Sequence, residues 1–252
     1  MRHVAGSAFL FLLLTMTWSA PYAGEEATGP VRTDLNLVTA IDVSGSIDGR
    51  AERLELLGMA DALIDSAFLQ AIEGGMHQRI GFVAFTWSSQ GDFVELVPWT
   101  TIESRADAEH VAARLRAARS IQRFGPTTPW QSPARRPWRA GLGTDISATL
   151  EHAMDALRAV PFWSERGVIN ICANGEDNIR EGPDRVRDLA AAQGIVINGV
   201  ILSRKPGLAD YFRARVQTGP GSFVIEVEEI GDVAQAMLRK FVAEIAWLWP
   251  RP

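Results

Sequence analysis

A mostly apolar run near the start of the chain places the strongest constraint on its fold. Residues Leu35–Ile41 are apolar except for Asn36 and Thr39, and the run stops at the polar segment Asp42–Ser46. A strand without regular alternation of polar and apolar residues is covered on both faces, which is typical of central strands in α/β proteins. The run therefore predicts a buried strand inside a parallel sheet, with a polar loop at its carboxyl end.

The rest of the chain alternates between strand-like and helix-like segments. Apolar segments that predict further strands are 79–86, 93–97, 168–172, 194–202 and 222–226. Segments with helical spacing are 50–72, 107–119, 145–160, 184–192, 208–217 and 232–248. The apolar stripe of the first helix is predicted to contain Leu57, Ala60, Ile64, Ala67 and Phe68. Strands that alternate with helices form a parallel sheet joined by right-handed crossovers. We therefore expect an α/β fold with a doubly wound, mainly parallel central sheet of about six strands flanked by helices.

The first 23 residues have the features of a secretory signal peptide. Arg2 and His3 precede an apolar core from Ala8 to Trp18 that is too short to cross a bilayer unaided, and small residues follow it. We expect a flexible lead over 24–34 and one α/β domain over 35–249. The mature chain would then lack a transmembrane span and would act in the periplasm or outside the cell.

Composition excludes several functional classes. The chain of 252 residues carries a formal net charge of −5, which argues against a nucleic-acid partner. Cys172 is the only cysteine, so no intramolecular disulfide can form. The histidines show no paired spacing of the kind that binds zinc.

Three polar loops are expected to meet at one edge of the predicted sheet. They are Asp42–Ser46 after the first strand, Gly143–Asp145 before a helix, and Ala173–Asn178 after the strand 168–172. In open α/β sheets, ligands bind beyond the carboxyl ends of the strands. The first loop offers hard oxygens on alternate residues, which suits a small dication such as Mg²⁺: Asp42, Ser44 and Ser46.

This pattern resembles the metal-ion-dependent adhesion site of von Willebrand factor A domains. The chain is similar to a bacterial secreted family of such domains whose biological role is uncharacterised. The segments that carry the resemblance cover nearly all of the chain after the signal: Val38–Ile47, Arg79–Val83, Ile197–Val200, Tyr211-Phe212, Gly219–Val224, Arg239–Phe241 and Glu244–Ala246.

The resemblance implies a role for each residue of the site. Ser44 and Ser46 would bind Mg²⁺, Mn²⁺ or Ca²⁺ directly, Asp42 would bind through water or orient the site, and Thr144 would supply a further oxygen. Because few anions contact such a metal, a carboxylate from a partner can complete its coordination. The expected function is exported, non-enzymatic recognition of a protein partner that presents an acidic group. No oligomeric state is implied.

The third loop departs from the family pattern. Asn174 and Asn170 stand where the family has acidic residues. Loss of a full charge near a dication removes on the order of several kcal/mol of attraction. Asn174 is kept in the predicted metal site because its carbonyl can still bind the cation or hold a water, and Glu176 or Asp177 can compensate if the loop bends inward. A metal-free structural or scaffold protein with a degenerate site is therefore the second hypothesis.

The segment 120–143 is the second departure, a Pro-, Arg- and Trp-rich insertion that leads into Thr144. Its four prolines exclude a helix or a central strand. Its cationic and aromatic residues suit an acidic or aromatic partner, and a plain solvated loop is the alternative. The candidate partner-binding residues along this rim are Arg123, Trp130, Arg135, Arg136, Trp138, Glu176 and Asp177.

A metal-dependent phosphohydrolase that forms an aspartyl-phosphate on Asp42 is the third hypothesis. It predicts a second acidic residue two positions after Asp42, where Ser44 stands. The G-x-S-x-G elbow of serine hydrolases does not occur in the chain either. The sequence therefore favours a binding protein over an enzyme.

Overall fold

A computed structural model describes residues 29–44, 49–89, 92–118, 143–179 and 181–246. The predicted signal peptide, Ser46 and the insertion up to residue 142 lie outside these ranges. Five of the predicted partner-binding residues belong to the insertion and also lie outside these ranges: Arg123, Trp130, Arg135, Arg136 and Trp138.

The described residues form a six-stranded sheet in the order β3-β2-β1-β4-β5-β6. The strands are β1 Asn36–Asp42, β2 Ile80–Trp87, β3 Val94–Ile102, β4 Gly167–Ala173, β5 Val196–Ile201 and β6 Val224–Glu226. Neighbouring strands are parallel except for β2 and β3, which are antiparallel. The predicted fold class is therefore confirmed.

Helices cover both faces of the sheet. They are α1 Gly49–Ile64, α2 Ser66–Glu73, α3 Arg105–Ala117, α4 Ile146–Arg158, α5 Asp184–Ala192, α6 Leu208–Arg215 and α7 Val233–Ala246, with a 3₁₀ turn at Ile230–Asp232. Within the described part of the chain, none of these helices has the length and apolar character needed to cross a bilayer.

Strand β1 is apolar because it contacts helices on both sides. Leu37 and Ile41 belong to the core formed with α1, α2, α3 and α7, whereas Val38 and Ala40 belong to the core formed with α4, α5 and α6. Successive side chains of a strand point to opposite faces, so a strand between two helical layers requires apolar residues at both parities.

The predicted helix 50–72 is wrong as one continuous element. The backbone at Asp65 is extended, and its side chain accepts a hydrogen bond of 2.8 Å from the amide of Ala67, which starts a second helix. An aspartate that bonds locally to the backbone favours such a cap over a helix interior. The break also shifts the buried stripe, because Ala67 is exposed and the buried face of α1 instead contains Leu56, Met59, Ala60 and Leu63.

The predicted strand 93–97 is too short. Strand β3 continues to Ile102 and includes Pro98, which has no backbone N–H. An edge strand can accept a proline because it has no neighbouring strand on its outer side that would need this donor. The Nε of Arg114 in α3 donates a hydrogen bond of 3.2 Å to the carbonyl of Leu96. Helix α3 therefore satisfies one carbonyl at this edge of the sheet.

Part of the predicted flexible lead is bonded to the domain. The amide of Trp163 donates a backbone hydrogen bond of 2.8 Å to the carbonyl of Val31. The carbonyl of Trp163 accepts one of 2.9 Å from the amide of Thr33. The carboxylate of Asp34 accepts a hydrogen bond of 2.8 Å from the amide of His77. The packed domain therefore begins before Leu35.

Candidate metal centre

The first and third predicted loops leave adjacent strands at the point where the order of the sheet reverses. The chain proceeds from β1 to β2 on one side, and β4 later pairs with β1 on the other side. Such a switch point leaves a crevice beyond the carboxyl ends of the two strands. Asp42 ends β1, and Asn174 follows Ala173 at the end of β4.

Asp42 is fully buried at this edge, with one satisfied and one unsatisfied carboxylate oxygen. Its Oδ1 accepts a hydrogen bond of 2.7 Å from the amide of Ser44, whereas Oδ2 has no hydrogen-bond partner among the described residues. Burial raises the pKa of Asp42 from 3.8 to about 6, and the polar groups of Ser44 and of the Asn174 backbone oppose that rise. The third loop therefore reaches the end of β1.

Thr144 is buried and lies against the third loop. Its amide donates a hydrogen bond of 2.9 Å to Oδ1 of Asn178, and its carbonyl accepts one of 3.0 Å from the amide of Asn178. A Cβ placed on Gly175 would lie 3.2 Å from Oγ1 of Thr144, so the absent side chain permits this close approach. The structure thus brings Asp42, Ser44, Thr144 and Asn174 to one edge, and Ser46 lies outside the described residues.

The two acidic residues of the third loop already have polar partners. Oδ2 of Asp177 accepts hydrogen bonds from the amide (2.8 Å) and the hydroxyl (2.7 Å) of Ser147, at the start of α4. Oε1 of Glu176 lies 2.8 Å from Nζ of Lys205. This arrangement does not support the idea that either carboxylate replaces the acid missing at Asn174, and their role in partner binding stays a prediction.

Asn170 is not part of the edge, which corrects its interpretation as a lost metal-site acid. It lies three positions before the end of β4, about 10 Å along the strand. Its Nδ2 donates a hydrogen bond of 3.3 Å to Oε2 of Glu244 in α7. The argument for a degenerate site therefore rests on Asn174 alone.

Sequence analysis missed two buried acidic residues in the first helix. Glu52 and Glu55 in α1 are each only 1% exposed. Burial raises the pKa of Glu55 well above its usual range, and the charge of Asp42 raises it further. Helical spacing puts both glutamates on the same face of α1 as Leu56 and Met59. This spacing is the sequence signal from which their burial could have been predicted.

The donor set at the edge fits a hard cation. Among the described residues, no group of three or more His, Cys, Asp or Glu side chains is arranged to hold a metal. The candidate set is of a different kind, since it combines one carboxylate with hydroxyl and amide oxygens. The unsatisfied Oδ2 of Asp42 is the feature that most directly calls for a positive charge.

Solved structures similar to this fold include a von Willebrand factor domain of a pilus tip protein and a mussel matrix protein. The domain of the type V pili tip protein Mfa5 from Porphyromonas gingivalis is 10% identical, with a TM-score of 0.58 over 88% of this chain and 98% of that chain. Proximal thread matrix protein 1 from the mussel byssus is 14% identical, with a TM-score of 0.56 over 86% of this chain and 49% of that chain. This chain therefore spans about half the length of the mussel protein, whose metal-ion-dependent adhesion motif is occupied by zinc in another structure. At these identities the likeness defines the fold, a von Willebrand factor A-like domain.

The chain belongs to the family described as "Protein of unknown function (DUF1194)". That family matches residues 32–129 and 130–249, which together span the described domain. A comparison with curated proteins gave no match.

Proposed function

We propose that this protein is an exported recognition module that binds a protein partner through a divalent cation at the carboxyl edge of its sheet. The residues that would hold the cation are Asp42, Ser44, Ser46, Thr144 and Asn174. The observation that carries the proposal is the buried Oδ2 of Asp42, which has no hydrogen-bond partner among the described residues.

A cation would remove the electrostatic cost at Asp42. A buried carboxylate without a counter-charge is unfavourable, and its raised pKa reflects that cost. The other proposed ligands are neutral hydroxyl and amide oxygens, so most of the dication's charge would remain uncompensated. The exposed coordination position would then attract an acidic group from a partner.

Export and adhesion are supported by two independent features. The N-terminal segment has the pattern of a secretory signal. Similar folds occur in a pilus tip protein, in the pilus adhesin SpaC from Lactobacillus rhamnosus GG, and in a byssus matrix protein. SpaC is 11% identical, with a TM-score of 0.52 over 86% of this chain and 32% of that chain.

Calorimetric titration of the mature protein with Mg²⁺ and Mn²⁺ tests the metal site. Wild type should bind at least one of the two, and Ser44→Ala should bind more weakly because it loses a direct ligand. Ser66→Ala, at the exposed start of α2, is the matched control and should bind like wild type. Equal and negligible heats for all three proteins would favour the metal-free scaffold instead.

Partner binding needs a separate experiment. The immobilised mature protein should retain an extracellular protein in Mg²⁺ and release it in a chelator, and Ser44→Ala should retain less of it. Retention that is indifferent to the chelator would contradict recognition through the cation.

A phosphohydrolase is disfavoured by the setting of Asp42. A nucleophilic carboxylate must reach its substrate, whereas Asp42 is fully buried and bonded to its own loop. Turnover of a generic phosphate ester that vanishes in Asp42→Asn would revive this hypothesis.

A further inference from the structure

We propose that Glu55 in α1 supplies the second negative charge of the metal centre, in place of the acid missing at Asn174. This inference rests on the proposed cation site. It assigns to Glu55 a positioning and charge-balancing role near the end of β1, with no direct ligation required.

The state of the Glu55 side chain needs an explanation. The residue is 1% exposed, and neither Oε1 nor Oε2 has a hydrogen-bond partner among the described residues. Buried polar side chains are usually hydrogen-bonded, and a buried carboxylate without partners is strongly unfavourable. A buried acid of this kind either stays neutral or interacts with a positive charge.

The register of the sheet places Glu55 beside the end of β1. Its carboxyl group interacts with the thiol of Cys172 in β4. Cys172 pairs with Ile41, the residue before Asp42. Glu55 and Asp42 are therefore two buried carboxyl groups at nearly the same level of the sheet, each with an unsatisfied oxygen.

The charges around Glu55 do not balance within the described part of the chain. The charges that act on it are those of Asp42 in β1 and Glu52 in α1, both negative. Lys240 in α7 acts on the neighbouring Cys172, but its ammonium group already lies 2.5 Å from Glu244. A dication at the adjacent edge would offset the repulsion between Glu55 and Asp42, and each carboxylate would in turn strengthen cation binding.

In this proposal, a negative charge in helix α1 replaces the negative charge that is missing from the third loop. The third loop carries a neutral amide at position 174, where the family resemblance implies an acid. Helix α1 carries a buried acid, Glu55, whose charge interacts with that of Asp42. The alternative is that Glu55 is a permanently neutral acid beside Cys172, in which case its charge is irrelevant to the cation.

Manganese titration of wild type and Glu55→Gln tests the assignment. Glutamine keeps the shape and removes the charge, so the affinity for Mn²⁺ should fall by about tenfold or more, as is typical when groups outside the first coordination shell are removed. Glu109→Gln, on the exposed side of α3, removes the same charge far from the site and should leave the affinity unchanged. Metal-free Glu55→Gln should melt at the wild-type temperature or above, and its melting temperature should rise less on addition of Mn²⁺.

A rescue separates charge from shape. Asn174→Asp placed in the Glu55→Gln background should restore most of the lost affinity, because it returns one negative charge to the edge. If Glu55→Gln does not fold, Glu55→Met is measured in the same two assays. Equal Mn²⁺ affinity of the folded variant and wild type would overturn this inference and leave the proposed function intact. A wild type that binds neither Mn²⁺ nor Mg²⁺ would overturn both.

Discussion

The amide of Ser44 donates a hydrogen bond of 2.7 Å to Oδ1 of Asp42, and the opposite oxygen of that carboxylate is buried without a partner among the described residues. The first contact holds the start of the polar loop against the end of β1. The second fact leaves one buried oxygen of Asp42 available to another partner. Because one oxygen of this buried carboxylate has no partner among the described residues, a bound cation would stabilise the ionised form of Asp42.

Stability without metal should depend on pH through Asp42. Its pKa rises from 3.8 to about 6 on folding, so the native state binds the proton more tightly than the unfolded state. Asp42 therefore lowers stability as the pH rises from about 4 to about 6, by about 3 kcal/mol in total. Urea unfolding in chelator at pH 4.5 and 7.5 should show about 2 kcal/mol of this loss in wild type, because part of it already occurs below pH 4.5. Asp42→Asn should show a correspondingly smaller loss, and identical pH dependence of the two proteins would contradict the assignment.

Asn174→Asp should strengthen metal binding. The substitution adds a carboxylate next to the site, and we expect Mn²⁺ affinity to rise by about tenfold or more, since a unit charge near a dication contributes several kcal/mol before desolvation. The metal-free variant should be less stable than wild type because the new charge faces Asp42. Gln70→Glu, on the exposed face of α2, adds the same charge elsewhere and serves as the control in the titration. Unchanged affinity in Asn174→Asp would place residue 174 outside the site.

The buried pair Lys240–Glu244 should be essential for folding. Oε1 of Glu244 lies 2.5 Å from Nζ of Lys240 and accepts a hydrogen bond of 2.6 Å from Nδ2 of Asn198. Lys240→Met leaves the buried carboxylate without its cation, which should cost about 3–5 kcal/mol of unfolding free energy. The double variant Lys240→Met/Glu244→Gln should recover part of that loss.

The exposed pair Lys205–Glu176 is the control for the buried one. Its ion-pair distance of 2.8 Å is similar, but both side chains are about half exposed. Lys205→Met should therefore change the unfolding free energy by less than about 1 kcal/mol. Comparable losses in Lys205→Met and Lys240→Met would show that burial does not distinguish the two pairs.

Gly58 should be required for the packing of α1 against α7. A Cβ at this position would lie 2.9 Å from both the amide nitrogen of Ala234 and Cγ1 of Val233. Because one of these atoms belongs to the backbone, Gly58→Ala should destabilise the fold by about 1–3 kcal/mol despite alanine's better helix propensity. Gly231→Ala, where the added Cβ has open space, is the matched control in thermal unfolding. A Gly58→Ala variant as stable as the control would contradict the close approach.

Most of the fold was predictable because its signals are local. The mostly apolar run of β1 indicated burial on two faces, and the alternation of strand-like and helix-like periodicities indicated parallel crossovers. The errors also have local causes, since Asp65 bonds to its own backbone and starts a new helix, and Pro98 is tolerated only because β3 lies at the edge.

The amino-acid sequence by itself determined the α/β class and the oxygen-rich loop after β1, because both depend on residue order within short segments. Only the tertiary structure decided which groups share the buried edge. It separated Asn170 from the edge, engaged Asp177 with Ser147, and brought Glu55 close to Asp42. Charge and desolvation act between residues distant in the chain, and their distances are defined only once the helices pack on the sheet.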